Sequence, residues 1–390
     1  MSNHPRLPKY WELAEQLKAQ IDQAVLQPGS RVPSLAEMQE QYSVSRGTVE
    51  KAFGLLEQEG LIVREQGRGT FVAELKPRES TGLIGYVGRG RHSRTNVGSY
   101  NVITEGIEDV AHKSNRQVVL LNGHSSLGWE KVDGIIIKVP AAAESVAAHL
   151  PPGIPCVSFF TAVEGISSVV ADDAGGARYA VEHLVELGHQ RIACLMETVA
   201  PQPKLRREGF REALKAAHIE VRPEWMRAPR HEFDIEKGYR EWARLNMQDW
   251  LQNGWFEMGC TAILAQNDMA AIGVIEVLQA AGVSVPNDIS VVGFDSTDIC
   301  EHVTPSITSI EIPLHRLATV GTELLIKHIK QGRWTPEALM MPTRLQVRQS
   351  TTYPTAARLL KKSPRAVLGP GRRAAPITLR SSVLSMIEGV

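Results

Sequence analysis

Apolar positions open the chain at helical spacing. Leu13, Leu17, Ile21 and Val25 recur every four residues and predict a first helix with one buried face, stopped by the turn residues Pro28-Gly29. Ser34-Leu35-Ala36-Glu37 has the form of a capping box, where side chain and backbone at the helix start satisfy each other, so a second short helix follows with Met38 and Tyr42 inward. Ser43-Val44 makes a tight connection, and Ser45 stands where a third helix needs an N-cap. That helix packs through Val49, Ala52, Phe53 and Leu56, at i, i+3, i+4 and i+7, with Gly60 at its C-cap. Leu61-Ile62-Val63 and Thr70-Phe71-Val72 then flank Glu65-Gln66-Gly67-Arg68-Gly69, a hairpin with a glycine-rich tip. Helices, tight turn and hairpin together predict a winged helix-turn-helix over residues 1–76.

In such a module the third helix reads the major groove with its N-terminal residues. Ser45, Arg46 and Thr48 lie there. A guanidinium can bridge guanine O6 and N7, while hydroxyls and free amides suit phosphate. Arg68, flanked by glycines, is free to reach a minor groove or the backbone. The plainer reading is a helical subdomain with ordinary surface arginines, since Glu50, Glu57 and Glu59 offset the bases.

The run Lys76-Pro77-Arg78-Glu79-Ser80 is polar and predicts a linker, bounded at 77–81. Beyond it strand-like and helical runs alternate. Leu83–Val87, Val118–Leu121, Gly134–Ile137 and Cys156–Phe160 are strands of a first half, and Ile192–Met196, Ala262–Ala265 and Ser290–Phe294 belong to a second. Helical stretches such as Val102–Ser114, Ala174–Leu187 and Met269–Ala280 separate them. The fold class is therefore α/β, with parallel sheets covered on both faces, arranged as two lobes over residues 82–353. Only "NGHSSLGWEKVD" separates the second and third strands, too little for a full crossover helix, so that helix is short or absent. Residues 354–390 carry many bases and one acid, Glu388, and are expected to form a disordered tail that either adds non-specific DNA affinity or is inert.

Ligands of such sheets sit beyond the carboxyl ends of strands. Asp295 follows "SVVGF", Asn267-Asp268 follow "AILAQ", and Arg206 is read as preceding a helix through Gly209-Phe210. Acid, amide and guanidinium grip vicinal hydroxyls, and Tyr100, Phe160 and Phe233 offer faces for a sugar ring. Each has an alternative role. Asp295 either binds or caps its turn. Asn267 and Asp268 bind or cap the helix at Met269. Phe233 stacks or packs in the core, and Asp172-Asp173 read as N-caps. Trp225, Trp242, Trp250 and Trp255 read as packing for a long segment before Cys260.

Composition narrows the function. Lys plus Arg equals Asp plus Glu at 43 each, which leaves DNA binding to a local patch. Met1–Tyr10 holds no apolar core of a secretory signal and no run is long enough for a bilayer, so a cytoplasmic protein is expected and an exported transport-binding protein is disfavoured. Cys156, Cys194, Cys260 and Cys300 are too far apart for a zinc or disulfide framework. No metal or cofactor is expected. Gly88-Arg89-Gly90 after a strand is a weak dinucleotide signal, lacking the third glycine and ribose-binding acid in register, and no G-x-S-x-G is present. The rival function is a regulator whose large domain is an enzyme or takes a non-sugar metabolite.

Through "VSRGTV", "EGLI" and "GRGTFV", the N-terminal module resembles the GntR family of winged-helix regulators. The resemblance implies DNA contacts at Ser34, Ser45, Arg46, Thr48, Gly67 and Arg68. Ala36 stands where that family usually has Arg. From about Gly82 to Thr351, through "GIEDVA", "VDGIII", "VADDAGGARYAVEHLVELGHQRIA", "RREGFREAL", "AQNDMAAIGVIEVLQAAGVSVPNDISVVGFDS" and "TPSITSI", the chain resembles the LacI/GalR family, whose effector domain is shaped like a periplasmic sugar-binding protein. That resemblance implies effector contacts at Arg206, Asn267 and Asp295, with Phe233 at a stacking position, and Phe160 where relatives often carry a polar residue. The pairing of modules is that of an arabinose-repressor-type chimera. It implies a homodimeric repressor on operator DNA, released by a sugar or sugar derivative, through a linker unlike the LacI hinge helix.

Overall fold

The computed structural model describes residues 8–354 other than 23–24, 59–60, 74–78, 89–96, 124, 139–148, 152, 199, 227–228, 235–236 and 333. Gly60, Gly90 and the basic tail beyond 354 lie outside the described residues.

The N-terminal unit contains helices α1 (Lys9–Asp22), α2 (Leu35–Tyr42) and α3 (Arg46–Gln58), then strands β1 (Ile62–Glu65) and β2 (Gly69–Val72). Its core is its own: Leu13, Leu17, Ile21, Met38, Val49, Ala52, Phe53, Leu56, Ile62 and Val72 pack together. Val25 does not join the first helical face. The helix stops at Asp22, and Val25 is 67% exposed in the loop that follows. The capping box forms: Glu37 N donates to Ser34 Oγ at 3.3 Å and Ser34 N to Glu37 Oε2 at 2.6 Å. Ser43 takes a left-handed φ of 51° to turn the chain between α2 and α3. The hairpin pairs Glu65 with Gly69 across its tip.

The larger unit is built on two sheets. The first has six parallel strands in the order β12-β7-β6-β5-β3-β4, with β3 (Leu83–Val87), β4 (Gln117–Leu120), β5 (Gly134–Ile137), β6 (Cys156–Phe159), β7 (Ser167–Ala171) and β12 (Ala338–Met341). The second runs β13-β11-β10-β9-β8, with β8 (Ile192–Leu195), β9 (Ala262–Ala265), β10 (Ser290–Asp295), β11 (Thr308–Glu311) and an antiparallel edge, β13 (Arg344–Gln346). Helix α4 (Val97–Lys113) covers the first sheet. Helices α5 (Asp173–Glu186), α6 (Pro201–Ala216), α7 (Gly238–Gln252), α8 (Trp255–Met258), α9 (Asp268–Ala280) and α10 (Ile299–His302) belong to the second lobe.

The lobes are not two consecutive halves. The chain crosses after β7, returns after β11 with α11 (Leu314–Gln331), which packs on α4 and β6, and crosses again between β12 and β13. Among the described residues, only a 3-10 turn at Trp129–Lys131 stands between β4 and β5, as the short connection requires. The tryptophans of the long segment are core: Trp225, Trp242, Trp250 and Trp255 are all buried, and Trp250 stacks on Trp255 at 5.7 Å.

Candidate DNA-binding face and effector cleft

At the start of α3, Ser45 Oγ accepts from Thr48 N at 3.3 Å and lies 2.9 Å from Thr48 Oγ1, so both hydroxyls are fixed at the helix N-terminus. The Arg46 side chain is 72% exposed and reaches Glu50 Oε1 at 2.9 Å. In the wing, Gly67 and Gly69 hold φ of 77° and 124°, conformations that a side chain would strain. Arg68 is 74% exposed, paired with Glu65 at 2.5 Å and lying over Phe71. Arg31, Ser34, Ala36, Gln39, Arg46, Gly69 and Thr70 line one open groove of about 400 Å³. Arg31 is the residue that sequence reading missed. Its Nε would lie 3.2 Å from a Gly69 Cβ, so the glycine lets it lie along the wing.

The second site lies between the lobes and centres on Arg206. This residue is not ahead of its helix but inside α6, buried at 6% exposure. Its Nε donates to Asp173 Oδ1 at 2.7 Å, Nη1 donates to the Gln266 carbonyl, and Nη2 lies 3.6 Å from Asp295 Oδ1. The guanidinium covers the Phe294 ring at 3.6 Å. Burial opposes its charge, but Asp173 and Asp295 more than offset that and hold its pKa above the ordinary value. Asp173 thus serves as the partner of Arg206 rather than as a cap. The cap is Asp172, whose Oδ1 accepts from Gly175 N at 2.8 Å.

Asp295 ends β10 with φ of 98°, followed by Ser296 at 50°, a strained pair for residues with side chains. Burial pushes its carboxyl up to about 7; Arg206 and Lys138 pull against that, while Asp268 and Asp173 add to it. Asn267 is the N-cap of α9, its side chain accepting from Ala270 N at 2.9 Å, so its oxygen is committed and its amide remains. Asp268 is a buttress: it accepts from Thr297 N and Oγ1 at 2.8 Å and from Ser309 Oγ at 2.5 Å, tying α9 to the turn after Asp295. Phe233 stacks on Tyr239 at 4.2 Å, and the Tyr239 hydroxyl donates to Glu197 Oε1 at 3.2 Å. Phe233 thus packs on the face of the ring whose hydroxyl holds the carboxylate.

The first lobe brings Tyr100 and Phe160 together around a residue absent from the sequence reading. Lys138, next after β5, holds its Nζ 5.6 Å from the Tyr100 ring centre and 5.9 Å from that of Phe160. Phe160 has φ of 68°, and its carbonyl accepts from Gln202 Nε2 of the opposite lobe at 2.8 Å, as does Thr161 Oγ1 at 2.9 Å. The cleft thus has a polar second-lobe wall and an aromatic, cationic first-lobe wall. Among the described residues no group of metal-ligating side chains assembles, and no helix is long and apolar enough to cross a membrane.

A DNA-reading winged helix joined to a two-lobed effector domain defines a transcriptional regulator, and the comparisons agree. Residues 9–72 match the gntR family of bacterial regulatory proteins, and residues 181–351 match the periplasmic binding protein-like domain. The chain is 30% identical over 347 residues to the arabinose metabolism transcriptional repressor of Geobacillus stearothermophilus, covering 83% of this chain and 92% of that one. The corresponding repressor of Halalkalibacterium halodurans is 25% identical, over 88% and 96% of the two chains. The chain belongs to this family of GntR/LacI-type chimeric repressors. Among solved structures, the CelR–cellobiose complex superposes with a TM-score of 0.61 at 24% identity, over 82% of this chain and 100% of that one. A LacI-family regulator from Enterococcus faecium with bound ribose gives 0.60 at 26%, over 70% and 100%.

Proposed function

We propose that this regulator binds a pseudo-palindromic operator as a cytoplasmic homodimer and is released by a small polyhydroxylated effector held between the lobes. In this reading, residues 1–76 read DNA, 77–81 link, and 82–353 bind the effector. Ser34, Ser45, Arg46, Thr48, Gly67 and Arg68 face the operator. Arg206, Asn267 and Asp295 grip hydroxyls, with Tyr100 and Phe160 offering ring faces opposite and Phe233 supporting Tyr239.

The observation that carries this reading is the Arg206 cluster. A guanidinium held by Asp173 and aimed at Asp295 is preorganised, and acid and amide in one cleft supply the donor and acceptor pairs that vicinal hydroxyls need. Relatives whose names refer to arabinose metabolism, and neighbours solved with cellobiose and ribose, support a sugar-type ligand. The carboxylates of the cleft are engaged with Arg206 and Tyr239, an arrangement suited to gripping a ligand rather than turning it over.

The test is an operator titration with and without L-arabinose, D-ribose, cellobiose and sugar acids. Arg206→Ala and Asp295→Ala should abolish the ligand response while leaving operator affinity intact. Variants that respond at wild-type ligand concentrations would place the effector elsewhere.

A further inference from the structure

The first-lobe wall of the cleft has more positive and donor character than a neutral sugar uses. Among the described residues, Lys138 Nζ has no hydrogen-bond acceptor and no carboxylate within ion-pair distance; its neighbours there are the rings of Tyr100 and Phe160. A second donor shares the Tyr100 ring with it. Among the described residues the buried Tyr86 hydroxyl has no hydrogen-bond partner, and the Tyr86 ring stacks on the same Tyr100 at 5.9 Å. Tyr86 is the penultimate residue of β3, and its hydroxyl lies 2.4 Å from where a Gly88 Cβ would stand. It therefore reaches past the carboxyl end of the sheet, and only glycine at 88 leaves it room. Lys138 follows β5, the neighbouring strand, at the same end.

Buried donors left without acceptors are costly, and a desolvated ammonium is costlier than a hydroxyl. One buried hydroxyl and one half-buried ammonium on the same wall of a ligand cleft are explained if the occupant completes them. We infer that Lys138 and Tyr86 receive a carboxylate, so that the effector is a sugar acid: its hydroxyls face Arg206, Asn267 and Asp295, and its acid group faces the aromatic wall. This rests on the cleft being the effector site, and it deepens that reading by fixing the ligand's charge.

The opposite wall decides between anions. Asp173, Asp295 and Glu197 all stand on the second lobe. A phosphate dianion would bring a second negative charge against them with, among the described residues, one free cation to offset it, whereas a carboxylate matches Lys138 one to one. Burial lowers the Lys138 pKa to about 8, with Asp295 working against that, so the ammonium is mostly charged at neutral pH and its charge depends on its surroundings.

The experiment uses the full chain and matched probes: D-galactose with D-galacturonate and D-galactonate, D-glucose with D-glucuronate and D-gluconate, and D-glucose 6-phosphate. Affinity is read by calorimetry, and release by operator titration. At least one acid should bind about tenfold or more tighter than its parent sugar, as expected for a completed charge pair. Lys138→Met should abolish that preference and leave the parent sugar within about twofold, while Lys138→Arg retains the preference for the acid. Melting curves of the unliganded variants check folding, and should Lys138→Met not fold, the wild-type salt dependence serves instead: acid binding should weaken with salt while sugar binding does not. Parent sugars binding as tightly as their acids, or Lys138→Met retaining the preference, would overturn the charge assignment and leave the cleft reading standing. Tighter binding of the phosphate would overturn the carboxylate. A panel in which neither acids nor sugars bind would overturn both readings.

Discussion

At the residue scale, the candidate site was legible where a polar side chain stands at or within two residues of the carboxyl end of a strand. Asp295 and Asn267 were found by that rule, and Lys138 obeys it too, as the residue after "GIII". Asp173 and Gln202 could not be found so, because their partners Arg206 and Phe160 lie 33 and 42 residues away: the first pair forms only when α5 packs on α6, the second only where the two lobes meet. Burial also sets a pH dependence. The Asp295 carboxyl titrates near 7 in the folded chain against an ordinary value of 3.8. The unfolded chain therefore gives up this proton first, and stability falls as pH rises from about 4 to about 7. Asp295→Asn removes this contribution. The variant's melting temperature, compared with wild type, should rise from pH 5 to pH 8 in the absence of effector. A difference flat across that range would mean the carboxyl is already ionised at pH 5.

Elements were legible in proportion to their periodicity. Helices α1 to α3 and the hairpin follow from spacing and caps alone, because a small unit with one core leaves each apolar position a single place to go. β7 opens with two serines, β12 is a four-residue apolar edge strand whose alternate side chains are exposed, and β13 has only three residues with one apolar side chain, so none shows the longer buried run that marks the inner strands. The return of α11 to the first lobe is a fact of topology that local patterning does not encode. The capping box gives a test at this scale. Ser34→Ala and Glu37→Ala each break one half of it; Ser34→Ala should cost about 0.5–2 kcal/mol in the N-terminal unit's stability, measured by chemical denaturation, and Glu37→Ala should destabilise in the same direction by less. Operator affinity separates them further. In the proposed interface Ser34 faces DNA, so Ser34→Ala should weaken binding beyond its stability loss and Glu37→Ala should not.

At the scale of the whole molecule, the proposed switch requires a signal from the cleft to reach the DNA module, and the chain leads to that module from the first lobe. Asp133 shows where the connection is fastened. It accepts from Ser80 Oγ at 2.6 Å, from Thr81 N at 2.8 Å and Oγ1 at 2.9 Å, and from Gly82 N at 3.0 Å, and it pairs with Arg116. Burial alone would raise its pKa; these bonds outweigh that and bring it to about 2, so the clasp holds throughout the neutral range. The last residues of the expected linker are thereby part of the lobe rather than free chain. Asp133 immediately precedes β5 and Lys138 immediately follows it, so one buried strand joins the linker's anchor to the cleft wall. A ligand that draws the lobes together acts on that strand and moves the anchor with it, provided it binds one arrangement better than the other. Asp133→Ala frees the linker from the lobe without touching the cleft or the operator face. Effector affinity and unliganded operator affinity should both stay near wild type. The coupling between them, typically about 1–3 kcal/mol, should shrink toward zero. Operator titrations at saturating effector measure it directly, and a variant still released as fully as wild type would show that the signal leaves the lobe by another route.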